Sequence, residues 1–314
     1  MQEKIISRRQ MLRSVTALSV AGAVSIEDFK QVAVGQSKSK TPPLTQSEMA
    51  AIETALGKKG KYIEAEAVYT VPLPRNDLKV SIKGEPVPIS FGFGGWISIK
   101  KTMDGKGAVL MSDTVLLEAE VNPLISAAHT NGLEISAIHN HFFYEEPRIF
   151  YMHLHGMGDA ATLAKSYAAT IKNNKLFPTN QPKVTALTKT AIEIFDLPAL
   201  DKIAGHTGAV NGATYKYTVG RDDLSVMAMG AEMTANIGLN SWAAFAGEQG
   251  AAHIAGDIAM LEPEVNAVIK ALRRNNLEVV ALHNHMLGDE PRIIFLHYYG
   301  RGAADKLAQG SCRA

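Results

Sequence analysis

Two stretches of the chain carry residues able to do chemistry. "AIHNHFFYEEPRIFYMHLHG" runs from Ala137 to Gly156, and "ALHNHMLGDEPRIIFLHYYG" runs from Ala281 to Gly300, 144 residues further on. Each holds a His-x-His pair, acids, a Pro-Arg step and another His in the same order. In an extended strand alternate side chains share a face. His139 and His141 therefore point one way, as do His283 and His285. Both pairs prolong a mainly apolar set, Leu133, Ile135 and Ala137 in one copy and Leu277, Val279 and Ala281 in the other. Two imidazoles at i and i+2 can chelate one ion, with a third ligand from a neighbouring strand. The returning segment offers it, because Ile149, Tyr151, His153 and His155 share one face, and Ile293, Phe295, His297 and Tyr299 share its counterpart. A turn centred on Pro147 sets His141 opposite His153, whereas a turn one residue tighter flips His153 away.

The expected metal ligands are thus His139, His141 and His153, with His283, His285 and His297 as a second or degenerate site. Cys312 is the only cysteine, which excludes an internal disulfide and a thiolate cluster. Nitrogen and oxygen donors leave zinc, manganese, iron, nickel and copper open. Zinc leads, since three His suit a tetrahedral divalent site with one open position. Glu145, Glu146 and Glu290 are the candidates for ligand or general base in the turn, where Asp289 also lies. Arg148 and Arg292 either pair with the adjacent acids or bind an anionic group of a substrate. The competing reading of the whole cassette is a buried polar network without metal. His129, His206 and His253 have no partner copy and read as ordinary surface or loop residues.

The duplication extends beyond the cassette, and a missed repeat mis-states the fold. "EAEVNPLISAAHTNGLEISAIHNH" from Glu118 aligns without a gap with "EPEVNAVIKALRRNNLEVVALHNH" from Glu262, and Asp113 falls on Asp257. Upstream the offset is 146, with Arg75 on Arg221, Asp77 on Asp223 and Trp96 on Trp242. Thr45 and Glu48 form a capping-box pattern before an apolar-periodic run to Leu56. A helix is expected near Glu118–Thr130 and Glu262–Asn275, then a strand into each His pair, a turn, a return strand and a closing helix. The expected class is α+β, two homologous repeats, each an antiparallel sheet packed with helices, related by pseudo-two-fold symmetry. The expected organisation is an export signal at 1–25, a linker at 26–44, a first repeat domain at 45–170, a linker at 171–189 and a second repeat domain at 190–314.

A net charge of +1 gives no bulk field for nucleic acid or an acidic membrane, so neither is an expected partner. Past residue 25 there is no apolar run long enough to span a bilayer. The expected partner is a small-molecule ligand of unknown identity, and the oligomeric state is not legible. Ser7-Arg8-Arg9-Gln10-Met11-Leu12 resembles the twin-arginine export signal, followed by a short apolar run from Val15 to Val24 and a small-residue cleavage site at Ala21-Gly22-Ala23. The expected destination is periplasmic or extracellular.

The letters His-Asn-His do not make the nuclease motif of that name, which spreads its residues over a strand–strand–helix unit. "HNHFFYE" resembles the first cupin motif, but the spaced glycines do not fit and the second motif is missing. A closer resemblance is to the uncharacterised bacterial domain family named after the mycobacterial lipoproteins LppY and LpqO. It rests on "DTVLLEAEVNPLISAAHTNGLEISAIHNHFFYEEPRIFYMHLHG", on "GDIAMLEPEVNAVIKALRRNNLEVVALHNHMLGDEPRIIFLHYYG" and on their tandem arrangement. That resemblance implies two copies of one domain and brings no activity with it. The chain has no lipobox cysteine near residue 23, so a lipid anchor of that kind is not expected. The expected function is metal binding, either in a metal-dependent hydrolase or in a non-enzymatic metal- or ligand-binding protein of the cell envelope. Replacing Arg8 and Arg9 with Lys is expected to hold the precursor in the cytoplasm. Unchanged delivery to the envelope in a fractionation experiment would reject twin-arginine export.

Overall fold

The helix-start signal at Thr45 is used in the computed structural model, which describes residues 41–182 and 189–312. The Thr45 hydroxyl accepts the Glu48 N–H, the Glu48 carboxylate accepts the Thr45 N–H at 2.6 Å, and α1 (Gln46–Leu56) follows. Gly57, in the left-handed region at φ 63°, ends it. The expected export signal lies outside the described residues, as do residues 26–40 and 183–188 of the expected linkers. No helix among the described residues is long and apolar enough to cross a membrane.

The first half continues with β1 (Lys61–Ile63), β2 (Val68–Pro74), a short arm of β3 (Val80–Ile82) and β4 (Glu85–Val87), then β5 (Gly94–Lys101) and β6 (Ala108–Leu117). It ends with α2 (Glu118–Thr130), β7 (Glu134–His139), β8 (Glu145–Glu146), β9 (Ile149–Gly158) and α3 (Ala160–Ile171). The second half has α4 (Ala191–Ile194), α5 (Leu197–Ala204), β10 (Ala209–Asn211), β11 (Thr214–Gly220) and an arm of β12 (Val226–Ala228) and β13 (Ala231–Met233). Then come β14 (Asn240–Glu248), β15 (Ala251–Leu261), α6 (Val265–Arg274), β16 (Glu278–His283), β17 (Ile293–Gly302) and α7 (Ala304–Ser311). Each half builds a six-stranded antiparallel sheet with the same order, β1-β2-β5-β6-β9-β7 and β10-β11-β14-β15-β17-β16. The fold is α+β in two similar halves.

Each sheet buries one face under its own helices. Leu110, Met152 and Leu154 pack with Leu56, Leu124 and Leu163 in the first half, and Ile254, Leu296 and Tyr298 pack with Leu200, Leu272 and Leu307 in the second. The opposite faces meet the other half, and there the arms are exchanged. Val80, Ile82, Phe91 and Phe93 of the first half pack with Ala244, Ala246, Ala255 and Tyr299 of the second. Val226, Ala231, Met233 and Ile237 of the second pack with Val68, Val109 and Met111 of the first. Lys83 bonds Glu278 at 2.6 Å, Arg301 bonds Glu85 at 2.5 Å, and Asn236 bonds Glu66 through its backbone N–H and side chain at 2.8 and 2.6 Å, all between halves.

The strand register corrects two expectations. Ala137 pairs with His153 and His139 with Tyr151, so the pairing is centred two residues nearer the N-terminus than a turn on Pro147 requires. An even shift keeps the face, and His153 stays with His139. Between Ile135 and Ala137 the register shifts, leaving Ser136 as an extra residue. Such a bulge breaks the alternation. Ile135 therefore pairs with Leu154 and joins the helix-side core with Leu133, while Ala137 and His139 turn to the seam between the halves. The same bulge lies between Val279 and Ala281.

Arg75 and Arg221 tie the strand-to-helix corner of each half. Arg75 is fully buried and donates to Asp77 at 2.9 Å, Glu120 at 2.7 Å and the Val115 carbonyl at 2.9 Å. Arg221 repeats this with Asp223, Glu264 and the Ala259 carbonyl, but with 15 % of its side chain exposed and its carboxylate partners at 58 % and 43 %. A buried ion pair broken on one side costs far more than an exposed one. Arg75→Ala is expected to lower unfolding stability by about 3 kcal/mol. Arg221→Ala is expected to cost only about 1 kcal/mol. Equal costs in urea titrations would contradict this account of the corner.

Candidate metal centre

A single row of paired residues crosses each sheet on its seam face. Trp96, Asp113, His153 and Ala137 are successive cross-strand partners in the first half, and Trp242, Asp257, His297 and Ala281 in the second. His139 and His283 end β7 and β16, and His141 and His285 follow in the next turn. Packing the two seam faces together gathers all six histidines with Asp113 and Asp257. All eight are buried except His283, which is half-buried.

Their contacts follow a two-fold pattern. His139 stacks on His283 with ring centroids 3.8 Å apart and His285 on His153 at 4.2 Å, while His141 lies tilted against His297 at 3.7 Å. His141 also stacks on Tyr151 at 3.2 Å, and its counterpart His285 on Phe295 at 3.4 Å. The sequence suggests one triad in each half; two of the three close groups instead mix the halves, and the third belongs to the second half alone. Donor atoms of His139, His141 and His297 lie within 4.8 Å of one another, as do those of His139, His153 and His283, and those of Asp257, His283 and His285.

Three rings have one nitrogen fixed by the backbone. His153 Nδ1 lies 3.0 Å from the Ser112 carbonyl, His297 Nδ1 3.2 Å from Gly256 and His285 Nδ1 3.0 Å from Gly238. A carbonyl only accepts, so each Nδ1 carries the hydrogen and each Nε2 presents a lone pair to the cluster. This is the arrangement that orients metal-ligating imidazoles. His153 Nε2 meets His139 Nε2 at 2.9 Å, and His285 Nε2 meets Asp257 Oδ2 at 3.2 Å. Each of these close pairs needs one shared proton or a cation between its atoms; His139 Nε2–H can donate to the His153 Nε2 lone pair. Both nitrogens of His141 and of His283 lack a hydrogen-bond partner, as do His139 Nδ1, His297 Nε2, Asp113 Oδ1 and Asp257 Oδ1. Native structures leave few buried polar atoms unsatisfied, and each costs about 1–3 kcal/mol. The donor chemistry, the orientation and the orphaned atoms all fit a divalent cation.

Burial dominates the electrostatics. Desolvation, then neighbouring imidazoles, holds His139, His141, His283 and His297 well below the ordinary histidine range, and desolvation with His285 does the same to His153. Desolvation pushes Asp113 up to about 8, reinforced by Asp257, and pushes Asp257 itself up to about 8. Lys216 is pushed down to about 8 by burial against the opposing pull of those two carboxylates, and its Nζ lies 4.2 Å over the Trp242 ring.

The acids named from sequence go elsewhere. Glu145 is buried, but its carboxylate accepts the Ile149 N–H at 3.3 Å and faces Arg148 at 3.9 Å; burial raises its pKa. Glu146 and Glu290 are exposed, and neither they nor Glu145 belong to any of the close donor groups. Arg148 and Arg292 are exposed, and Arg292 faces Asp289 at 3.6 Å, so both arginines lie beside the adjacent acids. His155 lies near Glu134 at 2.9 Å. His129 and His206 are exposed as expected, whereas His253 is buried on β15 under the first half's arm, against Tyr299 at 2.8 Å and Glu85 at 3.3 Å. Asp113, Asp257 and Lys216 were not among the sequence candidates. The one signal for the aspartates was their alignment between the copies.

The model of one protein family, described as Domain of Unknown Function (DUF1259), matches residues 50–173 and again 198–314. No curated protein and no solved structure matches the chain.

These shifts set the pH response of metal-free protein. The depressed histidines bind protons more readily when unfolded, so their contribution is lost as pH falls below about 6.5. The raised aspartates keep protons that the unfolded chain releases above about 4, so their contribution is lost as pH climbs toward about 8. More histidines than aspartates are involved, so the acid limb is the steeper. Thermal melts of chelator-treated protein are expected to peak near pH 6.5 (roughly, from the reference values). A melting temperature that rises steadily from pH 5 to 8 would contradict the neutral, unpartnered cluster.

Proposed function

Since the chain belongs to the family described as Domain of Unknown Function (DUF1259), whose description carries no activity, the site itself has to suggest one, and we propose an exported metal-binding protein whose ion lies in the seam between the halves. The observation that carries this reading is the set of three Nδ1–carbonyl contacts that aim lone pairs into a cluster of unpartnered, buried nitrogens. His139, His141, His153, His283, His285, His297 and Asp257 would hold a divalent ion, with zinc the best match to the donor set. The LppY/LpqO likeness and twin-arginine export to the periplasm or beyond belong to the same reading, supported by the sequence motifs alone.

One observation favours catalysis over storage. Asp113 and Asp257 interact across the seam with Lys216 between their fields, and each carboxyl is pushed up to about 8. A carboxyl that holds its proton near neutrality beside a Lewis acid is equipped for acid–base work. In the second reading the protein is a metal-dependent hydrolase whose acid–base group is Asp113, not Glu145, with Asp257 left as a ligand to the ion. In that reading a bound ion would supply charge stabilisation, and the Lys216 ammonium would favour the ionised form of the neighbouring carboxyls once they lose their protons. The alternative is a non-enzymatic metal- or ligand-binding protein using the same residues.

Metal analysis of the purified full chain under metal-replete conditions is the direct test. Stoichiometric divalent metal is expected. His141→Ala and His297→Ala, one in each half, are expected to lower the same ion's occupancy, with the double variant little worse than either single. Glu145→Gln is expected to leave metal content unchanged. Absence of stoichiometric metal would leave a buried polar network as the reading, and independent losses from the two halves would restore one site per repeat.

A further inference from the structure

A pocket of about 210 Å³, partly open to solvent, lies in the second half on the helix side of its sheet. Ala204, Tyr217, Ala243, Phe245, Ile258 and Ser311 are among the residues that line it, as are exposed His206 and Cys312.

The first half shows what this space is built to contain. The halves align through shared contacts: Tyr69 bonds Glu53 and the Gly60 N–H, as Tyr215 bonds Asp201 and the Gly208 N–H. That equivalence puts Ala204 where the first half has Leu56. The strand and closing-helix alignments put Ala243 where it has Ile97, and Ser311 where it has Tyr167. Leu56, Ile97 and Tyr167 are all core residues. Three large side chains are therefore small in the second half, and a void remains. Tyr298 refills part of it by lying over Gly256, where a Cβ would stand only 2.4 Å from the ring. Tyr167 in the first half bonds the Thr114 hydroxyl at 2.9 Å. Its slot in the second half meets Ile258 instead, so the polar end of the slot has gone.

We propose that this cavity is a binding site for a small hydrocarbon ligand about the size of one aromatic ring. An enclosed apolar cavity of roughly 150 Å³ lined by Leu, Ile and Phe takes up benzene; the pocket here is partly open, and its volume and mainly apolar lining suit the same class of ligand. The occupant follows from the fold, which places an aromatic ring in the equivalent slot of the first half. The site is distinct from the metal centre, because its lining contains none of the clustered histidines; of the eight clustered residues, Asp257 alone borders both.

The test uses the full chain with benzene and toluene as probes, in chelator-treated and metal-replete samples alike. Saturable one-to-one binding by ligand-observed NMR is expected in both samples, with a melting temperature that rises with probe concentration. Filling the slot as in the first half, with Ser311→Tyr and Ala243→Ile together, is expected to abolish binding and raise the probe-free melting temperature. If that double variant does not fold, Ala204→Leu narrows the cavity from its other wall and is expected to weaken binding about tenfold or more. Absence of saturable binding in the unmodified chain, or unchanged affinity in a folded filled variant, overturns the proposal. Binding in one sample but not the other would overturn its independence from the metal.

Discussion

Six imidazoles and two carboxyls buried between two sheets set the terms for the rest of this structure. Imidazolium ions at these separations would repel one another in a dry seam, so the rings stay neutral and each must be steered through its nitrogens. Strand backbone does the steering. The carbonyls of Ser112 and Gly256 lie on β6 and β15, beside the strands carrying His153 and His297. The Gly238 carbonyl, which fixes His285, follows the second half's arm. The arms and strands are therefore as much a part of the site as the rings.

Much of this was legible in the sequence because it is periodic or local. The duplicated cassette and the helix starts at Thr45 and Glu118 follow from spacing, whereas spacing alone left open whether His153 shares the face of His139, which the register settles. The bulge at Ser136 was not legible. Its extra residue meets the other half, since Ser136 Oγ bonds the His285 carbonyl at 2.5 Å and Asn284 bonds the Ser136 carbonyl at 2.8 Å. Local alternation carries no trace of such a partner. Asp113 was hidden for a related reason. It sits in "AVLMSDTVLL", a strand buried on nearly every position, where no polar–apolar alternation marks a functional face. Glu145 lies outside the cluster although turn position resembles proximity to the site, and its carboxylate is used by the Ile149 N–H; Arg148 faces that carboxylate, the pairing with adjacent acids that the sequence offered.

The two halves share a frame but not a chemistry. Tyr151 backs His141 where Phe295 backs His285, and Lys216 stands where the first half has Thr70. The carboxylates differ too: donor atoms of Asp257 join two histidines in a close group, whereas Asp113 enters none of them. Such differences make the centre lopsided even though its scaffold is nearly two-fold. A lopsided centre has distinguishable positions, which a symmetric one lacks.

The exchanged arms bear on how a fold like this could arise. Each half leaves an apolar sheet face that only the other half's arm covers. A single-copy ancestor with the same arm would face water with that surface unless a second molecule supplied the cover. The least costly remedy is reciprocal exchange between identical molecules about a two-fold axis. Joining two such copies in one polypeptide fixes the pairing at any dilution, and it frees the positions on either side of the axis to mutate separately.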